Sequence, residues 1–115
     1  MKISKLKKLY LQKTVKVIID RPINSKHPQY GFVYVLNYGY VPNTVSGDGE
    51  EIDVYVIDSF QPLSYCSGKV IAIIKRDNDN DYKLIVSCSG KNFSIQEITD
   101  RTYFQEQFFK IKIYK

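Results

Sequence analysis

Short β-branched and aromatic runs, each cut off by turn-forming residues, govern what this chain can become. Thr14–Ile19 (TVKVII) alternates and ends at Asp20-Arg21-Pro22. Gly31–Leu36 (GFVYVL), Ile52–Ile57 (IDVYVI), Lys69–Lys75 (KVIAIIK) and Tyr82–Cys88 (YKLIVSC) follow, separated by polar, Gly-, Pro- or Asn-bearing stretches. Such runs read as strands, and the uninterrupted apolar KVIAIIK as a buried one. After them the period changes. Phe93-Ser94-Ile95-Gln96-Glu97-Ile98 carries a capping box, with Ser94 as N-cap, Glu97 at N3, and Phe93 and Ile98 at the staple positions. Ile98, Phe104 and Phe108 continue an apolar stripe to about Lys110. Successive strands joined by short turns, then one helix, predict a mainly β, α+β protein: a small five-stranded antiparallel barrel closed by a C-terminal α-helix.

At 115 residues the chain is expected to form a single domain, 1–115, with a basic N-terminal segment over 1–13. Its apolar runs are only a few residues long, which excludes a membrane-spanning helix. The start, MKISKLKKLYLQK, lacks the apolar core of a signal peptide. Cys66 and Cys88 are too few for a disulfide framework, so a cytoplasmic protein with reduced thiols is expected. A single histidine excludes sites that need two.

The net charge of +5 is uneven. Residues 1–16 hold six lysines and no acid, and the remainder is close to neutral. A lysine-rich solvated edge accounts for this, and it is weak ground for a nucleic-acid surface on the body.

The acids cluster as well. Seven of twelve lie in Asp48-Gly49-Glu50-Glu51-Ile52-Asp53 and in Asp77-Asn78-Asp79-Asn80-Asp81. Two carboxylates about 4 Å apart repel by roughly 4 kcal/mol at an effective dielectric near 20. If the stretches meet at one barrel rim they need cations; if they do not, they are acidic loops. Hard divalent cations, magnesium above all, take oxygen ligands and keep several waters, and substrate phosphates commonly complete such sites. Lys83, Lys110, Arg76 and Tyr38 beside that rim would suit a metal-bound polyanion. The metal would polarise phosphoryl oxygens and acidify a bound water, and a carboxylate such as Glu50 could take its proton. Asp77–Asp81 also resembles the start of a calcium loop, but Tyr82 and Cys88 stand where such a loop needs glycine and glutamate. His27, beside Pro28 in a loop, reads as a surface residue.

Three blocks carry a resemblance. Ile19-Asp20-Arg21-Pro22, then Leu36-Asn37-Tyr38-Gly39-Tyr40-Val41-Pro42, then Gly47-Asp48-Gly49-Glu50-Glu51-Ile52-Asp53 resemble the soluble family I inorganic pyrophosphatases in order and spacing. The similarity runs from about residue 14 to residue 110. It implies an OB-like barrel and magnesium-dependent hydrolysis of pyrophosphate to two phosphates in a homo-oligomer, with no nucleic-acid or membrane partner. By the same resemblance Asp48, Asp53 and Asp81 match the principal metal-ligand aspartates. Asp77 matches another, with Asp79 competing because the turn is a residue shorter, and Asp20 stands at the place of a glutamate that serves a further metal. Tyr38 and Lys83 match phosphate-site residues, and Lys110 the lysine of a Tyr-Lys pair whose tyrosine is here Phe109.

Two departures stand out. Glu50 occupies the position of the aspartate that orients the attacking water, one methylene longer. The segment between Pro22 and Asn37 is much shorter than in bacterial members, and the lysine and arginine that grip phosphate come from the missing hairpin. Lys26, His27 and Arg21 are the only nearby substitutes. The expected catalytic set is therefore Glu50, Asp48 and Asp53; the metal set Asp48, Asp53, Asp81, Asp77 and Asp20; and the substrate set Tyr38, Lys83, Lys110, Lys26 and Arg21. Two other readings stay open: a relative that cleaves another diphosphate or only binds, and an OB-like nucleic-acid module using its ten tyrosines and six phenylalanines.

Overall fold

The computed structural model describes residues 2–47, 49–77 and 81–115. In chain order the elements are α1 (Ile3–Tyr10), β1 (Thr14–Arg21), β2 (Asn37–Val41), β3 (Ile52–Val56), β4 (Tyr65–Arg76), β5 (Tyr82–Ser87), α2 (Ile95–Glu106) and β6 (Ile111–Tyr114). The strands follow the order β1-β2-β3-β5-β4-β6, and β1 also pairs with β4, so five strands close on themselves and β6 is added to β4. The expected mainly β barrel with a C-terminal helix is therefore present. One of its five pairings is not antiparallel: β3 and β5 run parallel, with Asp53 opposite Lys83.

The strands bury both faces, which is why several read as unbroken apolar runs. Val54, Val56, Ile73, Leu84 and Val86 turn into one cluster, which Leu6 of α1 joins at 1% exposure. Tyr55, Ile57, Ile74 and Ile85 turn the other way, into a second cluster with Ile98 of α2 and with Phe93 just before that helix. The capping box that starts α2 is complete: Glu97 N–H donates to Ser94 Oγ at 3.1 Å, and Ser94 N–H to Glu97 Oε1 at 3.0 Å.

Three elements differ from the sequence reading. The basic start forms α1, because Ile3, Leu6 and Tyr10 share one helical face and pack against the barrel cluster. The helix α2 ends at Glu106 rather than near Lys110, and the IKIY stretch pairs with β4 as β6. The second strand is not Gly31–Leu36 but Asn37–Val41. The 31–36 alternation is real, with Tyr34 and Leu36 buried and Val33 and Val35 exposed. Its backbone, however, bonds to the preceding loop, Tyr34 N–H to Ser25 O and His27 N–H to Phe32 O, and so never enters the barrel ladder. Within β2, Gly39 is needed for close approach: a Cβ there would lie 1.8 Å from Ile18 O.

Candidate functional site

A β-bulge starts the site. In the β1–β2 pairing Ile19 faces Gly39 and Arg21 faces Tyr38, leaving Asp20 as an extra residue. Regular alternation would send neighbouring side chains to opposite faces. The bulge breaks that rule, and both Asp20 and Arg21 line one pocket of about 320 Å³. Tyr38 of β2, Asp53 of β3, Arg76 of β4, and Asp81 and Lys83 at the start of β5 reach the same pocket.

Lys83 is the hub. At 2% exposure, its ammonium lies 2.9 Å from Asp53 Oδ2 and 3.3 Å from Asp81 Oδ2, and it donates to the Tyr38 hydroxyl. Burial opposes its charge, but Tyr38, Asp53 and Asp81 outweigh burial and push its pKa up, so it stays an ammonium. Burial pushes the Tyr38 phenol up as well, so Tyr38 keeps its proton. Behind Lys83, Arg76 donates to Glu106 from Nε at 3.0 Å and Nη2 at 2.8 Å, while Tyr55 donates to the same carboxylate. Arg76 also reaches Asp81 at 3.7 Å and stacks its guanidinium 3.6 Å over Phe109.

Asp20 has a raised pKa, chiefly through burial, with repulsion from Asp53 and Glu51 adding to it. Asp20, Asp53 and Asp81 thus bring hard oxygen donors to a pocket they share with Arg21, Arg76 and Lys83. Among the described residues no three acidic, His or Cys side chains cluster tightly enough to cage an ion. One or two carboxylates plus waters and phosphate oxygens are what magnesium uses, so the donor set fits such an ion.

Of the residues singled out from sequence, Asp20, Arg21, Tyr38, Asp53, Asp81 and Lys83 line one pocket. Glu50, Asp77, Lys26 and Lys110 are exposed and do not line the pocket, and Asp77 N–H donates to Lys110 O at 2.9 Å. Asp48 and Asp79 lie outside the described residues. Sequence reasoning missed Gln105 and Glu106, although Ile98, Thr102, Gln105 and Glu106 recur on one helical face and all are buried. His27, read from sequence both as a surface residue and as a nearby substitute for the phosphate grip, lines the pocket.

The family model for inorganic pyrophosphatase matches residues 2–114. The chain belongs to this family. Inorganic pyrophosphatase from Xylella fastidiosa (strain 9a5c) is 32% identical over 108 residues, covering 73% of this chain and 59% of that protein. Inorganic pyrophosphatase from Mycoplasma genitalium is 27% identical over 122 residues, covering 97% of this chain and 62% of that protein. The chain thus spans about six tenths of the length of these relatives. Crystal structures of inorganic pyrophosphatases from Ehrlichia chaffeensis and Helicobacter pylori superpose with TM-scores of 0.70 and 0.71 at 20% and 19% identity. They cover 91% and 90% of this chain, and 86% and 85% of theirs, which shows a shared fold. No described helix is long and apolar enough to cross a membrane.

Proposed function

We propose that this chain hydrolyses inorganic pyrophosphate to two phosphates with magnesium as cofactor. The observation that carries the reading is one pocket in which Asp20, Asp53 and Asp81 face Lys83, Arg21 and Arg76. A pyrophosphate with its hard cations needs both signs of charge at once: carboxylates for the metal, ammonium and guanidinium groups for the phosphoryl oxygens.

Asp53, Asp81 and Asp20 would hold magnesium, together, by the family likeness, with Asp48 and with Asp77 or Asp79. Bound there, magnesium supplies electrophilic polarisation of phosphoryl oxygens and acidifies a water. Lys83 and the protonated Tyr38 hydroxyl offer donors to one phosphoryl group, and Arg21 to the other. Arg76 is held by Glu106, so it presents fixed positive charge with little reorganisation. Glu50 would be the proton acceptor by the family likeness; it sits on the loop before β3, exposed and outside the pocket wall. Lys26 and Lys110 would act from the rim. The same reading places the protein in the cytoplasm as a homo-oligomer.

A second reading has its own support. Tyr30 and Phe108 line the pocket mouth and are 69% and 59% exposed, a surface that would suit a diphosphate carrying an organic group. The experiment is phosphate release from pyrophosphate, with magnesium and with chelator, beside nucleoside diphosphate and triphosphate controls. Magnesium-dependent release from pyrophosphate alone is expected. Release only from the organic substrates would favour the second reading, and no release from any would sink both hydrolytic readings.

A further inference from the structure

We infer that His27 is a hydrogen-bond donor that, with Arg21, forms an anion subsite for the outer phosphoryl group of the substrate. The inference rests on the proposed function for the identity of that anion.

The tautomer is the first support. His27 Nδ1 accepts two backbone hydrogen bonds, from Gln29 N–H and Tyr30 N–H, each at 3.1 Å. A nitrogen that accepts carries no proton, so in the neutral ring the proton sits on Nε2. The loop thereby turns the ring into a donor at its far end. The ring is stacked on Tyr30, with centroids 4.9 Å apart, and lies tilted against Phe32 at 4.8 Å. The loop itself is tied down by His27 N–H to Phe32 O at 2.8 Å and Gly31 N–H to His27 O at 3.1 Å.

Arg21 supplies the second support. Its Nη1 is buried and finds no hydrogen-bond partner among the described residues. An orphaned charged donor is costly unless a ligand takes it up. Arg21 and His27 flank the same side chain: the guanidinium lies 5.9 Å from the Tyr34 ring centroid, and the imidazole 6.3 Å from it. Both line the pocket. Partial burial and the nearby Arg21 charge lower the His27 pKa, so the ring stays neutral at pH 7 and does not act as an acid. One cationic donor and one neutral donor on either side of Tyr34 suit fully ionised phosphoryl oxygens.

The chain has one histidine, so its imidazole nitrogen resonances are unambiguous. The test is the 15N imidazole spectrum of the full chain at pH 7.5, titrated with inorganic phosphate. The expected result is a neutral ring protonated at Nε2, with Nε2 moving on phosphate addition and Nδ1 holding still. His27→Phe keeps the stack and removes the donor; it should weaken phosphate binding and raise KM for pyrophosphate about tenfold, with a smaller change in kcat. His27→Gln, which places an amide near the Nε2 position, should recover most of that loss. A proton on Nδ1, or an Nε2 signal indifferent to phosphate, overturns the inference without any variant. Pyrophosphate hydrolysis with an unchanged KM in His27→Phe sinks the inference and leaves the proposed function standing. Phosphate binding at Nε2 without hydrolysis does the reverse.

Discussion

Arg76 grips Glu106 through two parallel hydrogen bonds, at 3.0 Å and 2.8 Å, and so fastens the last residue of α2 to the end of β4. The pair is almost dry, with 10% of the arginine side chain and 2% of the glutamate side chain exposed. Removing one partner of such a pair strands a buried charge, which costs about 3–5 kcal/mol. Glu106→Ala is therefore expected to lose that much stability in urea unfolding. A loss under about 1 kcal/mol, the range of exposed pairs, would mean that water reaches Arg76 freely.

Asp53→Asn keeps the shape beside Lys83 but removes the negative charge and replaces one of the two metal-binding oxygens by an amide nitrogen. Magnesium-stimulated phosphate release should fall at least about 100-fold, since mispositioning on the ångström scale already costs that much. The stabilisation of the folded chain by magnesium, read as a thermal shift, should shrink with it. Undiminished release in this variant would remove Asp53 from the site.

Glu50→Asp tests the longer side chain. Because Glu50 is exposed and outside the pocket wall, a shorter acid should reach the reacting water less well, and kcat should drop by about 10–100-fold. A rise in kcat would show instead that glutamate is a misfit at this position.

Asp58 lies away from the pocket and tells of stability alone. Burial raises its pKa, but hydrogen bonds from Ser89, Ser87 and the Cys88 N–H prevail and bring it below the usual value. A carboxyl with a depressed folded pKa stabilises the fold above its unfolded pKa, near 3.9, and loses that contribution as pH falls through the folded value. Asp58→Asn should thus be about 1–3 kcal/mol less stable at pH 7, with the gap to the parent closing below pH 4. A gap that stays constant down to pH 2 would assign the effect to packing.

Most of the barrel can be read in the residues because β-branched runs such as KVIAIIK and YKLIVSC have no other good conformation. NYGYV has a glycine and an asparagine and little apolar weight, so its strand is invisible to periodicity; its place in the sheet comes from the close approach of Gly39 to Ile18. GFVYVL misleads because one-sided burial produces the same alternation with or without a ladder. Of the pocket residues, Asp20, Asp53, Asp81 and Lys83 are legible from spacing and family likeness. His27 reads only as one nearby substitute for the phosphate grip, since its pocket place depends on a short loop folding back on itself. The pairing of Glu106 with Arg76 is not legible, since a glutamate at a helix end reads as solvated until a buried arginine faces it.

Asp53 and Lys83 are directly opposite one another in a parallel ladder that is itself part of the barrel wall. Their meeting is fixed by strand register, which changes only in whole residues, and a step of one in either strand would turn its residue to the opposite face and part the pair. This half of the pocket therefore has no gradual path of variation: it is kept whole or lost with the barrel. Change has to collect on the other half, in the connections that carry Glu50 and His27, where length and residue type shift without touching the wall.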